Sequence, residues 1–410
     1  MGAARALDLK PVGRASGLEC RIIDDAGALD RLRPQWTALM ERSTENVVTL
    51  TPAWMLTWWR VFGRLDGREL KTALLYDNGR LVGIAPWLKR RHVYRGHLPF
   101  QRIEPLGTGE DPQDEVCSDY ADLIAERGFE AAVANSLAAA LASGAFGDWD
   151  ELVLPASSGE APLPRMLADS LAGIGFQACS ETIGEVFYIP LPDSWEEYLG
   201  ALRGPDRYYL RRSLRDFESW SGSDYELKTA SCAPELERGK EILIELHNER
   251  WKREGHGGAF ASSLFTAFHS ELLPRLLDER AVELSWLTVR GEPIAALYNI
   301  VWDGKVYFYQ SGRKPGVPKG IRPGVVIHQA AIKQAIEAGR REYDFLGGPS
   351  QFKRQMALAS RPLDRIRVVK PSLVEFARSV TEQGIARTRG LRRLVNRISS
   401  GLHDTETHAR

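Results

Sequence analysis

Cysteine is scarce in this sequence: Cys20, Cys117, Cys179 and Cys232 lie far apart, with no C-x-x-C pair. That spacing excludes a disulfide framework and a cysteine zinc site, and it fits a reducing cytoplasm better than secretion. His247, His256, His269 and His328 show no ligand spacing, so no metal is expected. No run is apolar and long enough to cross a bilayer. Formal net charge is zero. DNA binding therefore has no global electrostatic basis, and a charged partner has to meet a local patch. Met1 to Gly17 carries basic residues without a continuous apolar stretch, so it reads as a disordered leader and not as a signal peptide.

What remains is ordinary globular material. At 410 residues, 43% hydrophobic and 26% charged, the chain is long enough for two domains with real cores. A weak internal repeat supports two. Glu69–Tyr76, the turn Asp77-Asn78-Gly79-Arg80 and Leu81–Leu88 read as a hairpin. Ala281–Val289, Arg290-Gly291-Glu292 and Pro293–Trp302 read as its second copy. Each copy follows an aromatic-rich helical stretch, 52–62 and 264–277. Each precedes an Ala-rich amphipathic helix, 130–143 and 325–338, then a short apolar strand, 151–154 and 343–346. Duplication explains the parallel; chance likeness of two α/β domains is the alternative. The join is expected at Pro190-Leu-Pro192, giving domains at 18–190 and 191–370. Gly107 to Ser118, rich in Gly, Pro and Asp, reads as a surface loop.

Past residue 370, Val374 to Ile398 places Arg378, Arg387, Arg389, Arg392, Arg393 and Arg397 around Ile385, Leu391, Leu394, Val395 and Ile398. This is a basic amphipathic helix. It either packs on its own domain or makes a peripheral contact with a membrane or an acidic partner. Gly401 to Arg410 is expected to be disordered.

In the second half the order from Ala281 is three strands, a loop, a helix, a strand, a short helix near Gln351–Leu358, and a strand at 365–369. The loop, Ser311 to Arg322, is basic and glycine-rich, and the helix begins at Pro323-Gly324. Unpaired N–H groups at a helix start, glycines that admit close approach, and Arg313, Lys314, Lys319 and Arg322 make an anion site. It is not a Walker A loop, because Gly320-Ile-Arg lacks the Gly-Lys-Ser/Thr ending. A mobile basic turn is the plainer alternative.

This order and loop chemistry look like the GNAT acyltransferase fold. The duplicated form is similar to its FemAB-like and CelD-like branch. The stretches that carry the likeness are His247-Asn-Glu-Arg250-Trp251, Pro293-Ile-Ala-Ala-Leu-Tyr298, Val306-Tyr-Phe-Tyr-Gln-Ser-Gly312, Arg322-Pro-Gly324, Glu342-Tyr-Asp-Phe-Leu-Gly-Gly348 and Phe352-Lys353-Arg354. The resemblance implies two tandem α+β domains, each a mixed, mostly antiparallel sheet flanked by helices. It implies an acyl-CoA donor, and its pyrophosphate would lie on Gln310, Arg313, Gly316, Lys319, Gly320, Arg322 and Gly324. The family's phosphate loop is matched by Arg313 to Gly316 and departs at Pro318, which has no N–H. Backbone N–H groups at Tyr309-Gln310-Ser311 would face the acyl carbonyl, so no covalent nucleophile is needed.

Asp344, alone among apolar neighbours in its strand, is the candidate base, with a structural hydrogen-bonding role as the alternative. Tyr309 and Tyr307 share one side of their strand, and either is a candidate general acid or a packing residue. Arg250, Trp251, Tyr298, Lys353 and Arg354 are placed with the acceptor, an amine or amino sugar of envelope or exopolysaccharide metabolism by resemblance alone. Met356 replaces the aromatic usual after Phe-Lys-Arg. Arg207 to Arg215 mixes arginines with aromatics and keeps a tRNA partner in view, since FemAB-like donors include aminoacyl-tRNA; a solvated helix face is the plainer reading. The first copy, with the acidic Gly107–Asp114 where the second has its basic loop, is expected to be degenerate, structural and a wall of the cleft. A non-catalytic scaffold of a polysaccharide assembly is the rival to enzyme function.

Overall fold

In the structure, a computed structural model, residues 13–15, 17–95, 97–348 and 350–382 are described. The leader expected to be disordered is ordered at Gly13–Ala15, which pairs as a strand with Leu18–Cys20; residues 1–12 of it, and the tail beyond residue 382, lie outside the described residues.

Along the first half run β1 (Gly13–Ala15), β2 (Leu18–Ile23), α1 (Ala26–Asp30), α2 (Arg33–Arg42), α3 (Pro52–Phe62), β3 (Glu69–Leu70), β4 (Thr72–Asp77), β5 (Arg80–Ala85), β6 (Trp87–Tyr94), β7 (Leu98–Pro105), β8 (Ile124–Ala125), α4 (Glu130–Ala142), β9 (Glu151–Ser158), α5 (Pro162–Gly173) and β10 (Gln177–Pro190). The second half continues with α6 (Trp195–Ala201), α7 (Gly204–Ser221), β11 (Tyr225–Thr229), α8 (Ala233–Arg253), α9 (Ser263–Asp278), β12 (Val282–Val289), β13 (Glu292–Trp302), β14 (Lys305–Arg313), α10 (Pro323–Glu337), β15 (Glu342–Asp344), α11 (Gln351–Met356) and β16 (Ala359–Val369).

The repeat is real in three dimensions. β4 and β5 form one hairpin and β12 and β13 the other. Each copy then has one parallel pair, β7 with β9 and β14 with β15, bridged by α4 and by α10. The copies differ at Pro86. A proline has no N–H for a ladder, and the expected strand 81–88 breaks there. β5 stays in a five-stranded sheet while β6 starts again in an eleven-stranded one.

That larger sheet, ordered β11-β12-β13-β14-β15-β10-β16-β9-β7-β6-β3, does not stop at residue 190. β10, the last strand of the first copy, pairs with β15 of the second. β16, the last strand of the second copy, pairs with β9 of the first. The two exchanged strands pair with each other at the centre, from Gln177↔Val369 to Tyr188↔Ala359. The cores record the exchange: Phe187 and Ile189 pack into the second half's cluster, and Ile366 and Val368 into the first half's. A third cluster, with Trp54 and Phe62 of α3 against Phe268 of α9, joins the halves. Neither copy has a closed core without the other.

α8 crosses directly over β14 at Gly312. A Cβ there would sit 2.8 Å from the His247 nitrogen and from Leu246 Cβ, and 3.0 Å from the Leu243 oxygen. Because those neighbours are helix backbone, they cannot yield locally. Gly312→Ala is therefore expected to cost about 1–3 kcal/mol and to lower the thermal midpoint. The lack of a drop in a melting curve would contradict this crossing.

Candidate functional site

The parallel ladder between β14 and β15 lasts three residues, Lys305↔Glu342, Val306↔Tyr343 and Tyr307↔Asp344, and then ends. β14 runs on to Arg313 paired only with β13. Tyr298 opposes Gln310 and Asn299 opposes Phe308, which leaves Tyr309 as an extra residue in a bulge. A bulge bends its strand and raises the local twist, and here it falls just where the two strands part. A V-shaped gap results, with backbone exposed on its β14 side. The Ser311 N–H there is met by its neighbour's side-chain oxygen, Gln310 Oε1, at 3.1 Å.

Above the gap stands the start of α10. Arg322 is its N-cap residue and no side chain caps the turn; Pro323 opens the helix. The Val325 and Val326 N–H groups turn back to the Arg322 oxygen. A cavity of about 370 Å³ meets this turn, lined by Pro323, Gly324, Val325, Ser311, Arg250, Arg313 and Arg322, with Tyr209, Ile321, His328 and Phe352 as its apolar side. A second hollow, about 490 Å³, continues along the basic loop past Arg253, Lys314, Gly316, Lys319 and Gly320. Gly316 and Gly320 have φ of 88° and 98°, a region that favours glycine. Glu254 and Glu292 offset some of the charge, pairing with Arg313 and Lys314, but the cations outnumber the acids lining both hollows. Burial pushes the His328 imidazole down to about 3, so it is neutral.

The far edge of β14 is fixed by α8. His247 Nδ1 donates to the Ser311 oxygen at 3.1 Å while its Nε2 accepts the Ala259 N–H at 3.2 Å, which sets the neutral tautomer. The sequence stretch around His247 was therefore informative for a positional reason, with no metal involved. Among the described residues no His, Cys, Asp or Glu cluster suited to a metal occurs.

The largest departure from the sequence reading concerns Gly107 to Ser118. It is a surface loop only in part: Asp111 to Gln113, Glu115 and Cys117 are exposed, whereas Thr108, Val116 and Ser118 are buried. It straps the first half onto the second. Trp54 Nε1 donates to Ser118 Oγ at 2.8 Å, Tyr309 OH to the Val116 oxygen at 2.6 Å, and Thr49 Oγ1 to the Asp119 oxygen at 2.7 Å. Asp119 Oδ2 accepts the Gly347 N–H at 2.6 Å, and Tyr120 OH donates to Asp344 Oδ2 at 2.8 Å. Composition predicted exposure because these groups are polar; each instead has a specific partner. Cys117 and Tyr120 hold φ of 49° and 62°, and Leu346 across the contact holds 54°. Such backbone strain in non-glycine residues persists only where surroundings enforce it.

The predicted site residues divide into two groups. Ser311, Arg313, Arg322, Gly324 and Arg250 line the cavity at α10, and Gly316, Lys319 and Gly320 line its continuation. Gln310 lies on the gap edge, and Trp251 sits beneath the Arg250 guanidinium, 5.2 Å from its ring centre. The others are on the strap side. Asp344 is wholly buried and gives its second oxygen, Oδ1, to the Leu346 N–H at 2.7 Å. Burial pushes its carboxyl up to about 6, although Arg361, the Leu346 amide and Tyr120 pull it down. Tyr309 sits among Trp54, Phe265, His269 and Tyr298, its hydroxyl bonded to His269 Nε2 at 2.9 Å. Tyr298 is buried in the same group. Lys353 is buried, its ammonium directed at the Leu346 and Gly347 oxygens at 3.2 and 2.5 Å, and burial lowers its pKa. Arg354 is exposed over Phe187. Asp119 and Tyr120, which sequence reasoning missed, carried no motif; their only local sign was position beside an aromatic-flanked polar loop.

Tyr120→Phe leaves a buried carboxylate oxygen without its donor, at about 1–3 kcal/mol. The loss depends on pH. Asp344 has a raised pKa in the fold, so its contribution is present below the unfolded value and fades as pH rises through about 6. Removing the Tyr120 hydroxyl raises that pKa further, so the variant is expected to lose more stability at pH 8 than at pH 5. Denaturant titrations at both pH values measure this, and an equal loss would contradict the assigned pair.

Comparison with known proteins agrees with this geometry. Residues 206–354 match the family described as Acetyltransferase (GNAT) domain. No curated protein sequence matches the chain. Among solved structures, FemX aligns with a TM-score of 0.55 at 11% identity, over 80% of this chain and 95% of that one. A conserved protein of unknown function from Bacteroides thetaiotaomicron VPI-5482 aligns with a TM-score of 0.51 at 12% identity, over 85% and 99%. At such identity these two share the fold and nothing further. Residues 206–354 thus match a GNAT acetyltransferase domain, and the chain as a whole shares its fold with FemX.

Proposed function

We propose that the protein transfers an acyl group from acyl-CoA to an amine, with the donor's pyrophosphate on the first turn of α10. One observation carries the proposal: an uncapped helix start opens into a cavity ringed by Arg250, Arg313 and Arg322, directly beside the parted β14 and β15. The helix dipole and the guanidinium groups both favour a diphosphate there. The apolar side at Ile321, Val325 and Phe352 suits the uncharged parts of the donor.

The carbonyl would enter the gap, where the Ser311 N–H can donate to the oxyanion once the Gln310 amide swings away. The amine nitrogen forms its bond to the carbonyl carbon, the carbon–sulfur bond breaks, and the amine's proton leaves with the sulfur. In this reading Asp344 and Tyr309, whose oxygens are engaged by Tyr120, Leu346, His269 and Val116, act by holding the end of β15 and the strap. Lys353 serves in the same way. Trp251 and exposed Arg354 remain the acceptor side, whereas Arg250, placed there by the sequence, lines the donor cavity. An amino sugar of envelope or exopolysaccharide metabolism in the cytoplasm is the acceptor that the family resemblance suggests.

An aminoacyl-tRNA donor fits less well. No Asp or Glu lines the α10 cavity, so an aminoacyl ammonium group would lose water without gaining a countercharge.

Calorimetric titration tests the donor. Acetyl-CoA and longer acyl-CoAs are expected to bind, and Arg322→Ala to weaken them by about 1–3 kcal/mol, roughly 5- to 150-fold in Kd. Absent binding, or no change in an Arg313, Lys319 and Arg322 triple alanine variant, would favour a scaffold role. Steeply salt-dependent tRNA binding would favour the aminoacyl donor.

A further inference from the structure

The helix at residues 373–382 is docked inside out. Its polar side chains face the protein. Glu375 is 7% exposed and accepts both Arg367 Nη1 and Nη2, at 2.9 and 2.7 Å. Arg378 Nε and Nη2 reach the same carboxylate at 2.7 Å each, and Arg378 also pairs with Glu382. Arg367 in turn bonds buried Glu151 at 2.6 Å, so the contact is tied into the sheet through β9 and β16. These guanidinium groups hold the Glu375 carboxyl at about 2, against the opposing effect of burial.

The apolar side chains of this helix face solvent: Leu373 is 87% exposed, Phe376 67% and Val380 51%. Their spacing puts them on one side. A terminal helix normally buries such a stripe; this one is held by a charge cluster that leaves the stripe outward. An exposed stripe of large apolar residues marks a contact surface.

The sequence that follows indicates which contact. Leu391, Leu394 and Ile398 repeat in the sequence the spacing of Leu373, Phe376 and Val380. Between residues 383 and 400 the charged residues are Arg387, Arg389, Arg392, Arg393 and Arg397, with no acid among them. An apolar stripe beside a purely cationic run complements an anionic lipid surface. A second copy is a poor occupant, because pairing would bring the two arginine runs together. We infer that residues 373–398 dock the protein, as a peripheral contact, on the surface of an anionic membrane through Leu373, Phe376 and Val380 and the arginines after them. No helix among the described residues is long and apolar enough to cross a membrane, so the contact would lie on the surface.

Cosedimentation of the full chain with vesicles tests this. Binding to mixed phosphatidylcholine–phosphatidylglycerol vesicles is expected at least about tenfold above binding to phosphatidylcholine alone, and it should weaken in high salt. The double variant Phe376→Asp with Val380→Asp is expected to lose about tenfold in vesicle binding with an unchanged melting curve, since both side chains are exposed. Arg392→Gln with Arg393→Gln should weaken binding and flatten its salt dependence. Failure to bind anionic vesicles, or equal binding by the Asp variant, would overturn the inference. A dimer in light scattering that the Asp variant dissolves would do so too, by assigning the stripe to a second copy.

Discussion

Everything at the site depends on where one short ladder stops. β14 and β15 are hydrogen-bonded through Tyr307↔Asp344 and no further. Had the ladder continued, β14 would offer no free edge and α10 would look onto closed sheet. Two features hold the separation. The bulge at Tyr309 bends β14 away. On the other side, Asp344 ends β15 because its carboxylate takes the Leu346 N–H and the Tyr120 hydroxyl, turning the chain out of the sheet. Leu346 adopts a positive φ to make that turn. The strain is local, but its restraint comes from Asp119 and Tyr120, far away in the sequence.

The strand exchange gives this arrangement a rigid base. β10 and β16 form the longest antiparallel pairing in the molecule, and each also joins the sheet of the opposite copy. Opening the halves would break three ladders and expose apolar residues from three clusters at once. Hinge motion between the copies, the usual expectation when two domains meet at a small polar interface, is therefore disfavoured. Movement at the site has to come from side chains and from the basic loop.

Local chemistry made some of this legible in the sequence. Thr51 and Pro52 start α3, Pro323 starts α10, and Asn78-Gly79 and Arg290-Gly291 turn the two hairpins, because caps and turns are set by adjacent residues. The basic loop and its helix could be read for the same reason. The exchange of β10 and β16 could not, since nothing within a strand records which distant edge it meets. Residues 107–120 misled for a different reason. Gly, Asp and Ser signal solvent on average, but Ser118 is satisfied by Trp54 of its own half, and Asp119 and Tyr120 by Gly347 and Asp344 of the other. Tyr309 and Asp344 stood out in the sequence as a candidate acid and base, yet the partners that hold them in the structure could not be read there.

The two copies differ in how the chain passes from strand to helix. Beyond β14 the chain returns to α10 through residues 314–322, and the helix start is left bare. Beyond β7 it takes residues 106–129 to reach α4. There Glu130 occupies the first turn, its Oε2 accepting the Gly128 N–H at 2.8 Å. A carboxylate at that point already provides the negative charge the helix dipole favours, and it repels a phosphate. The long connection is the same strap whose Asp119 and Tyr120 brace the second copy's gap. The longer connection of the first copy thus supplies the contacts that hold the end of β15 in the second, so one difference in the connection between a strand and a helix both sets the copies apart and ties them together.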